Sequence, residues 1–340
     1  MKVRPDRKPI LVNLRDIEPK PVQWLWFSRF PMNMLSLLVG DPGLGKTWAA
    51  LDMAARVSTG ANWPDNTIPD NKAPLGSVLL LSAEDTLEYT IRPRLDKLGA
   101  DPSRIYALKG TVCEEEGQRF LNIKEDIPAL EKALTQVQDA KIIILDPITA
   151  YLGETDSHKN AEVRAVLAQL SGLAERHKVA IIGISHMNKD TTSRAIYRVM
   201  GSMGFVAAAR ATWTIVRDKH DEDRRLFVPL KINLCPEPMS LAFRITDDVI
   251  VWENEPVKIT AEQALAEVSE EERTALDEAI AWLRDLLNDG RVRSTEVVEM
   301  ASREKISEST LRRAKAKLSV RSEKEGIGNA AVWYWKLPEG

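Results

Sequence analysis

Gly40, Asp41, Pro42, Gly43, Leu44, Gly45, Lys46 and Thr47 fill the spacing G-x-x-x-x-G-K-T, and Trp48 follows directly. Glycines let the backbone approach a ligand closely, so the amides from Gly43 to Trp48 can converge on an anion at a helix start. Lys46 then reaches the β and γ phosphates of a nucleotide, and Thr47 offers its hydroxyl to Mg²⁺. This is the pattern of a phosphate-binding P-loop. An ordinary glycine turn is the bland alternative, but the flanking residues argue against it. Leu35 to Val39 reads as a buried strand, and Trp48, Ala49, Leu51, Ala54 and Ala55 recur at helical spacing immediately after the loop.

Hydrolysis needs more than phosphate binding. Asp146 ends the apolar run "KIIILDP", where a parallel sheet opens toward its ligand crevice, and is expected to hold Mg²⁺, whereas its bland role is to cap the turn at Pro147. Glu84 lies just beyond the run "SVLLLSAEDT" and is expected to polarise the attacking water; the alternative is an acid at a helix N-terminus, filled by Glu84 or Asp85. His186, at the end of "AIIGISHMNKD", is positioned to sense the γ-phosphate or to make one hydrogen bond at the core edge. His158, His177 and His220 have no comparable context and read as surface residues.

Elements to position these groups follow in regular order. After the P-loop helix come the strand "SVLLLSAED", a helix over 86–99, the short strand "RIYAL", an exposed loop around "CEEEGQ", and a helix over about 126–138. The strand "KIIILDP", an amphipathic helix over 161–177 and the strand "VAIIGISH" complete a βαβ series. Strands so uniformly apolar are buried on both faces, which predicts an α/β fold with a mostly parallel sheet covered by helices. From Ala211 the runs "ATWTIVRD", "RRLFVPLKIN", "LAFRIT" and "VIVWE" predict an antiparallel extension. The expected divisions are an N-terminal arm over 1–33 whose Trp24, Trp26, Phe27 and Phe30 pack, a core over 34–255, and a C-terminal domain over 256–340, with the boundary at Glu255 to Ile259.

The P-loop, "SAED", "IIILDP" and "ISHMNK" in this order resemble the RecA-like ATPase core, in particular the branch of plasmid RepA-type and DnaB-type hexameric helicases, over about residues 20–255. The resemblance implies ATP and Mg²⁺ as ligands, Glu84 as catalytic glutamate, and a homo-oligomer, a hexameric ring, whose subunits complete each other's sites. Arg210 in "VAAARATW" and Lys231 in "PLKINLC" resemble the basic residues donated in trans, although Asn233 stands where some relatives carry arginine. Arg94 is read first as a solvated helical arginine, and by analogy with the family as a candidate for the nucleotide base. The loop from Asn188 to Phe205, with Lys189, Arg194 and Arg198, corresponds to a pore loop that contacts single-stranded DNA.

The C-terminal stretch reads as helix, turn, helix and hairpin, resembling a winged helix. Ser307 is placed to cap the second helix, and Arg312, Arg313, Lys315 and Lys317 are expected on its outward face against DNA phosphates. With 47 basic and 50 acidic residues the net charge is −3, which excludes a polybasic coat and confines any DNA contact to local patches. Cys113 and Cys235 read as free thiols. A charged, proline-punctuated N-terminus and the lack of any run near 18 apolar residues predict a cytoplasmic protein without a membrane partner. The expected function is an ATP-driven, ring-forming helicase or DNA translocase of a mobile element; the alternative is an ATP-regulated DNA-binding regulator or helicase loader with slow turnover.

Overall fold

The computed structural model describes residues 11–65, 71–113, 117–137, 139–153, 155, 159–187, 196, 203–266, 270–288, 290–325 and 332–338. A hairpin of β1 (Trp24–Trp26) and β2 (Phe30–Pro31) leads into β3 (Leu35–Val39), α1 (Lys46–Thr59), β4 (Ser77–Ser82), α2 (Arg92–Lys97) and β5 (Ile105–Ala107). Next come β6 (Thr111–Cys113), β7 (Gly117–Arg119), α3 (Ile123–Gln136), β8 (Ala140–Asp146), α4 (Asn160–His177), β9 (Ala180–Ser185) and α5 (Met203–Ala208). The core continues through β10 (Ala211–Asp218), β11 (Asp221–Ile232), β12 (Leu241–Thr246), β13 (Val249–Trp252) and α6 (Ala261–Leu265).

Nine strands form one sheet in the order β13-β12-β11-β10-β3-β9-β8-β4-β5. Neighbours from β10 to β5 are parallel, and β11, β12 and β13 extend the sheet antiparallel. Successive residues of β3 serve opposite faces, as strand geometry requires. Leu38 joins the core beneath α1 and the N-terminal hairpin, whereas Leu35, Leu37 and Val39 join the core beneath α3, α4 and α5. A strand buried on both sides in this way anchors the P-loop firmly; each leucine contributes about 1.5–3 kcal/mol through burial.

The N-terminal aromatic residues divide. Trp26 and Phe30 are fully buried, while Phe27 is exposed. Trp26 stacks on Trp63 and on Phe227, and Phe227 stacks on Trp213 with centroids 4.3 Å apart. Arg29, 2% exposed, is held within this cluster by an ion pair to Asp65 at 2.7 Å and by a bond to the Met239 carbonyl.

Three local differences from the sequence reading have clear causes. The ends of the "CEEEGQ" region, expected as a loop, pair antiparallel as Cys113 of β6 opposite Gly117 of β7 and Val112 opposite Gln118, and residues 114–116 lie outside the described residues. The helix over 86–99 opens with a wide turn at Leu87–Ile91 before α2, where Pro93 occupies an early position that needs no amide donor. Finally, Thr260 caps α6 in a reciprocal capping box, and Ala261 and Ala264 pack against Val216, Leu226 and Val228. This short helix, beyond the expected boundary at Glu255 to Ile259, packs on the core sheet.

The remainder comprises α7 (Glu270–Asn288), β14 (Val292–Arg293), α8 (Ser294–Arg303), α9 (Glu308–Lys317), β15 (Arg321–Glu325) and β16 (Val332–Lys336). The three strands form a separate sheet in the order β14-β16-β15, and Leu283, Val297, Leu311 and Ala314 bring the helices together. Among the described residues no helix is long and apolar enough to cross a membrane.

Candidate active site

Parallel register brings the functional residues to one edge. Val39 of β3 lies opposite Ser185 of β9, Leu145 of β8 opposite Gly183, and Ser82 of β4 opposite Asp146. The carboxyl ends of four adjacent strands therefore align, which is where open α/β sheets bind ligands.

The loop between β3 and α1 requires two of its glycines. Gly40 has φ 154°, and a Cβ there would lie 2.4 Å from the Ile215 carbonyl oxygen. Gly45, with φ 91°, precedes α1, and a Cβ would meet Ile245 at 2.7 Å. No side chain caps α1 and no acid lies in its first turn, so its leading amides are free for an anion. Around them is a cleft of about 330 Å³ bordered by Pro42, Gly43, Gly45, Lys46, Thr47, Trp48, Glu84, Asp85, Arg94, Asp146, His186 and Ile245.

Lys46 is buried and folds back on its own loop, donating to the carbonyls of Gly40 at 2.9 Å and Asp41 at 2.8 Å. Burial holds its pKa below the ordinary lysine value, with Asp146, Asp41 and Glu84 opposing that shift. The Lys46 ammonium also lies 3.4 Å from His186 Nδ1. Burial, reinforced by the Lys46 charge, lowers the His186 pKa and favours a neutral ring. With Nδ1 accepting from Lys46, the ring proton belongs on Nε2, which faces Glu84 Oε1 at 4.0 Å. Glu84 itself is 66% exposed and reaches over the cleft from beyond β4.

Thr47 donates from Oγ1 to Asp146 Oδ2 at 2.6 Å. Burial raises the Asp146 pKa to about 6; the Thr47 bond opposes the shift, and the charges of Glu84 and Asp85 add to it. A hydroxyl and a desolvated carboxylate, crowded by further acids, suit a hard cation. Among the described residues the site offers this hydroxyl and carboxylate, not a cluster of three or more acidic, histidine or cysteine ligands. That suits Mg²⁺, which retains waters and takes phosphate oxygens along with one or two protein ligands.

How Arg94 is fixed is not evident from its sequence neighbours. Its guanidinium lies 4.8 Å from the Trp48 ring centroid and donates to Asp85 at 3.2 Å. Beside it a second recess, also about 330 Å³, is bordered by Trp48, Tyr89, Thr90, Pro93, Arg94, Lys97 and Asp248. The two hollows share Trp48 and Arg94.

Other expected residues lie elsewhere. Arg210 is exposed and its amide donates to the Leu35 carbonyl at the start of β3, the opposite end of that strand from the P-loop. Lys231 donates to the carbonyls of Val206 at 2.6 Å and Ala209 at 2.9 Å, satisfying the end of α5, so within this chain it is a structural residue. On α9, Arg313 is buried, contrary to the expected outward face, and Lys317 pairs with Glu222 of β11 at 2.7 Å. Lys315 lies 4.0 Å from the Trp335 ring centroid, while Arg312 is exposed on the outward face and borders a separate groove with Val298, Glu308 and Lys315. His220, expected at the surface, is half-buried, and its Nδ1 is buried without a partner among the described residues. Lys189, Arg194 and Arg198 lie outside the described residues.

A family model described as AAA domain, AAA_25, matches residues 3–192. Residues of this chain also match the DNA repair protein RadA of Mycobacterium tuberculosis (strain CDC 1551 / Oshkosh) at 28% identity over 158 residues, 46% of this chain and 27% of the relative. RadA of Halalkalibacterium halodurans matches at 30% identity over 158 residues, again 46% of this chain and 28% of the relative. The aligned stretch thus spans less than a third of these curated relatives. Sheet, loop and family together make the core a RecA-like P-loop fold.

Proposed function

We propose, from the premise that this chain belongs to the AAA domain family AAA_25, that it is an ATP-hydrolysing motor acting on DNA. The observation that carries this reading is the convergence of Lys46, Thr47, Asp146, His186 and Glu84 on one cleft at the aligned strand ends. The RadA relatives, which are named as DNA repair proteins, supply the reason for choosing DNA as the partner.

In this reading the amides of the P-loop and α1 hold the triphosphate. Lys46 exchanges its two loop carbonyls for phosphate oxygens, and Thr47 and Asp146 would hold Mg²⁺. The bound ion would supply charge neutralisation on the β and γ phosphates. Glu84 accepts a proton from the attacking water as general base. His186, between Lys46 and Glu84, registers whether the lysine is engaged with phosphate. The nucleoside extends past Trp48 into the recess beneath Arg94 and Tyr89.

Arg210 cannot serve its own P-loop from the far end of β3, since five strand residues span about 16 Å. We assign it to a neighbouring copy's site, as the cation that stabilises charge on the transferring phosphoryl group. Lys231 holds the α5 end that presents Arg210. Such sharing calls for a homo-oligomer, a ring of six in the helicase-like reading, with translocation or unwinding on a single strand as its output. The C-terminal helices and hairpin are read as a winged helix that adds a second DNA contact. A loader or regulator with slow turnover is the rival.

ATP turnover measured with and without single-stranded DNA, alongside the mass of the assembly, separates the readings. The motor reading expects an oligomer and turnover stimulated by the strand. Slow turnover that DNA does not change would favour the regulator.

A further inference from the structure

Between the β10–β11 turn and α9 lies a cavity of about 210 Å³, bordered by Lys219, His220, Asp223, Leu276, Arg313 and Lys317 among others. Arg313 is 6% exposed, yet among the described residues its guanidinium has no hydrogen-bond or ion-pair partner, and its Nε is wholly buried. His220 contributes a second buried, unpartnered atom, Nδ1.

Neighbouring carboxylates are already engaged. Asp218 uses Oδ2 for Arg224 at 2.7 Å and Oδ1 for the His220 amide at 2.8 Å. Asp221 is paired with Arg244 at 2.5 Å, and Glu222 with Lys317 at 2.7 Å. Asp223 remains, at the exposed rim, against the charges of both Arg313 and Lys219. A largely buried guanidinium whose Nε has neither water nor an acceptor is unfavourable. Asp221, Glu222 and Asp223 all border the cavity, but only Asp223 is left to face its cations.

We propose that this cavity is an oxyanion site that takes a phosphoryl group between Arg313 and Lys219, with His220 Nδ1 as a further donor, and thereby fastens the C-terminal unit to the core. A tetrahedral oxyanion presents several acceptors at once, matching the fork of an arginine better than a single carbonyl would. Burial, followed by the nearby Arg313 charge, lowers the His220 pKa, so a neutral ring with its proton on Nδ1 can donate. The phosphoryl group comes either from a nucleic-acid strand or from free phosphate. The site is separate from the P-loop cleft and does not depend on the motor reading.

The test uses the full chain carrying Lys46→Ala, which suppresses the response of the P-loop itself. Thermal melts are recorded with inorganic phosphate against chloride at constant ionic strength. Phosphate should raise the melting temperature by about 5 °C when well above its dissociation constant. Adding Arg313→Met should abolish that response while leaving the phosphate-free melting temperature unchanged or higher, since a buried unpaired charge has gone. Should the methionine variant not fold, Arg313→Lys keeps the charge without the fork and should need about tenfold more phosphate. An equal phosphate response with and without Arg313, or none in the Lys46→Ala protein, overturns the proposal. A single-stranded oligonucleotide that replaces the phosphate response identifies a strand phosphodiester as the ligand; one that leaves it intact identifies free phosphate.

Discussion

Thr47 Oγ1 and Asp146 Oδ2 meet at 2.6 Å although 99 residues separate them in the chain. One comes from the first turn of α1 and the other from the last position of β8, so their meeting is a product of the sheet register. Without a cation, the pair leaves a carboxylate that burial and acidic neighbours penalise.

That penalty gives a pH-dependent stability. The Asp146 pKa is raised from 3.8 to about 6, so its contribution is fully present below about pH 4 and is lost as pH rises through about 6. Asp146→Asn should therefore be more stable than the wild type at pH 7–8 without nucleotide, by roughly 2–3 kcal/mol, with the advantage vanishing below about pH 4. Thermal melts across this range check the sign. With Mg²⁺ and ATP the order should reverse, because the asparagine cannot supply the charge.

Glu84→Gln should separate binding from turnover. The amide keeps the shape of the side chain but cannot accept a proton, so ATP binding should persist while turnover falls by about 10²–10⁴. Lys46→Ala should instead lose affinity for ATP, as read by calorimetry. Turnover at the wild-type rate in the Glu84→Gln protein would remove this residue from the mechanism.

Arg94 predicts a difference between nucleoside and phosphate recognition. Its guanidinium covers Trp48 and is steadied by Asp85. Arg94→Ala should weaken ATP binding about tenfold, the loss expected from a partly desolvated stacking contact, while inorganic tripolyphosphate binds as before. An equal loss for both ligands would mean that Arg94 acts on the phosphates.

Shared catalysis predicts complementation. Arg210→Ala and Glu84→Gln chains should each be inactive as pure assemblies, but mixed assemblies should recover some ATP turnover. There a Glu84→Gln subunit lends its intact Arg210 to a neighbour with an intact Glu84. Absence of recovery in assemblies verified as mixed by mass would leave Arg210 with a structural role only.

Much of the site was legible because its signals are local. The P-loop spacing, the continuously apolar strands and the polar residue just past each strand end single out Lys46, Thr47, Glu84, Asp146 and His186 as candidates without knowledge of their partners, and these five line one cleft. Arg29 was not legible, since its burial depends on Asp65 and on the Met239 carbonyl far along the chain. Arg313 shows the same limit. Helical spacing correctly placed Leu311 and Ala314 inward, but Arg313 is buried beside a cavity that the β10–β11 turn of the core also borders. Local periodicity cannot register a second surface supplied by another unit.

The position of β3 within the sheet bears on how the chain can be divided and in what order it matures. β3 lies between β9 and β10, and Trp213 of β10 donates to the Arg29 carbonyl 184 residues away. A fragment ending at residue 192, where the family match ends, would turn β3 into a bare sheet edge and deprive Trp26 of Phe227. That stretch is therefore not an autonomous folding unit. During synthesis the nucleotide-binding half must wait, incomplete, until β10 and β11 have left the ribosome, so a chain stalled before Phe227 should be degraded or captured by chaperones.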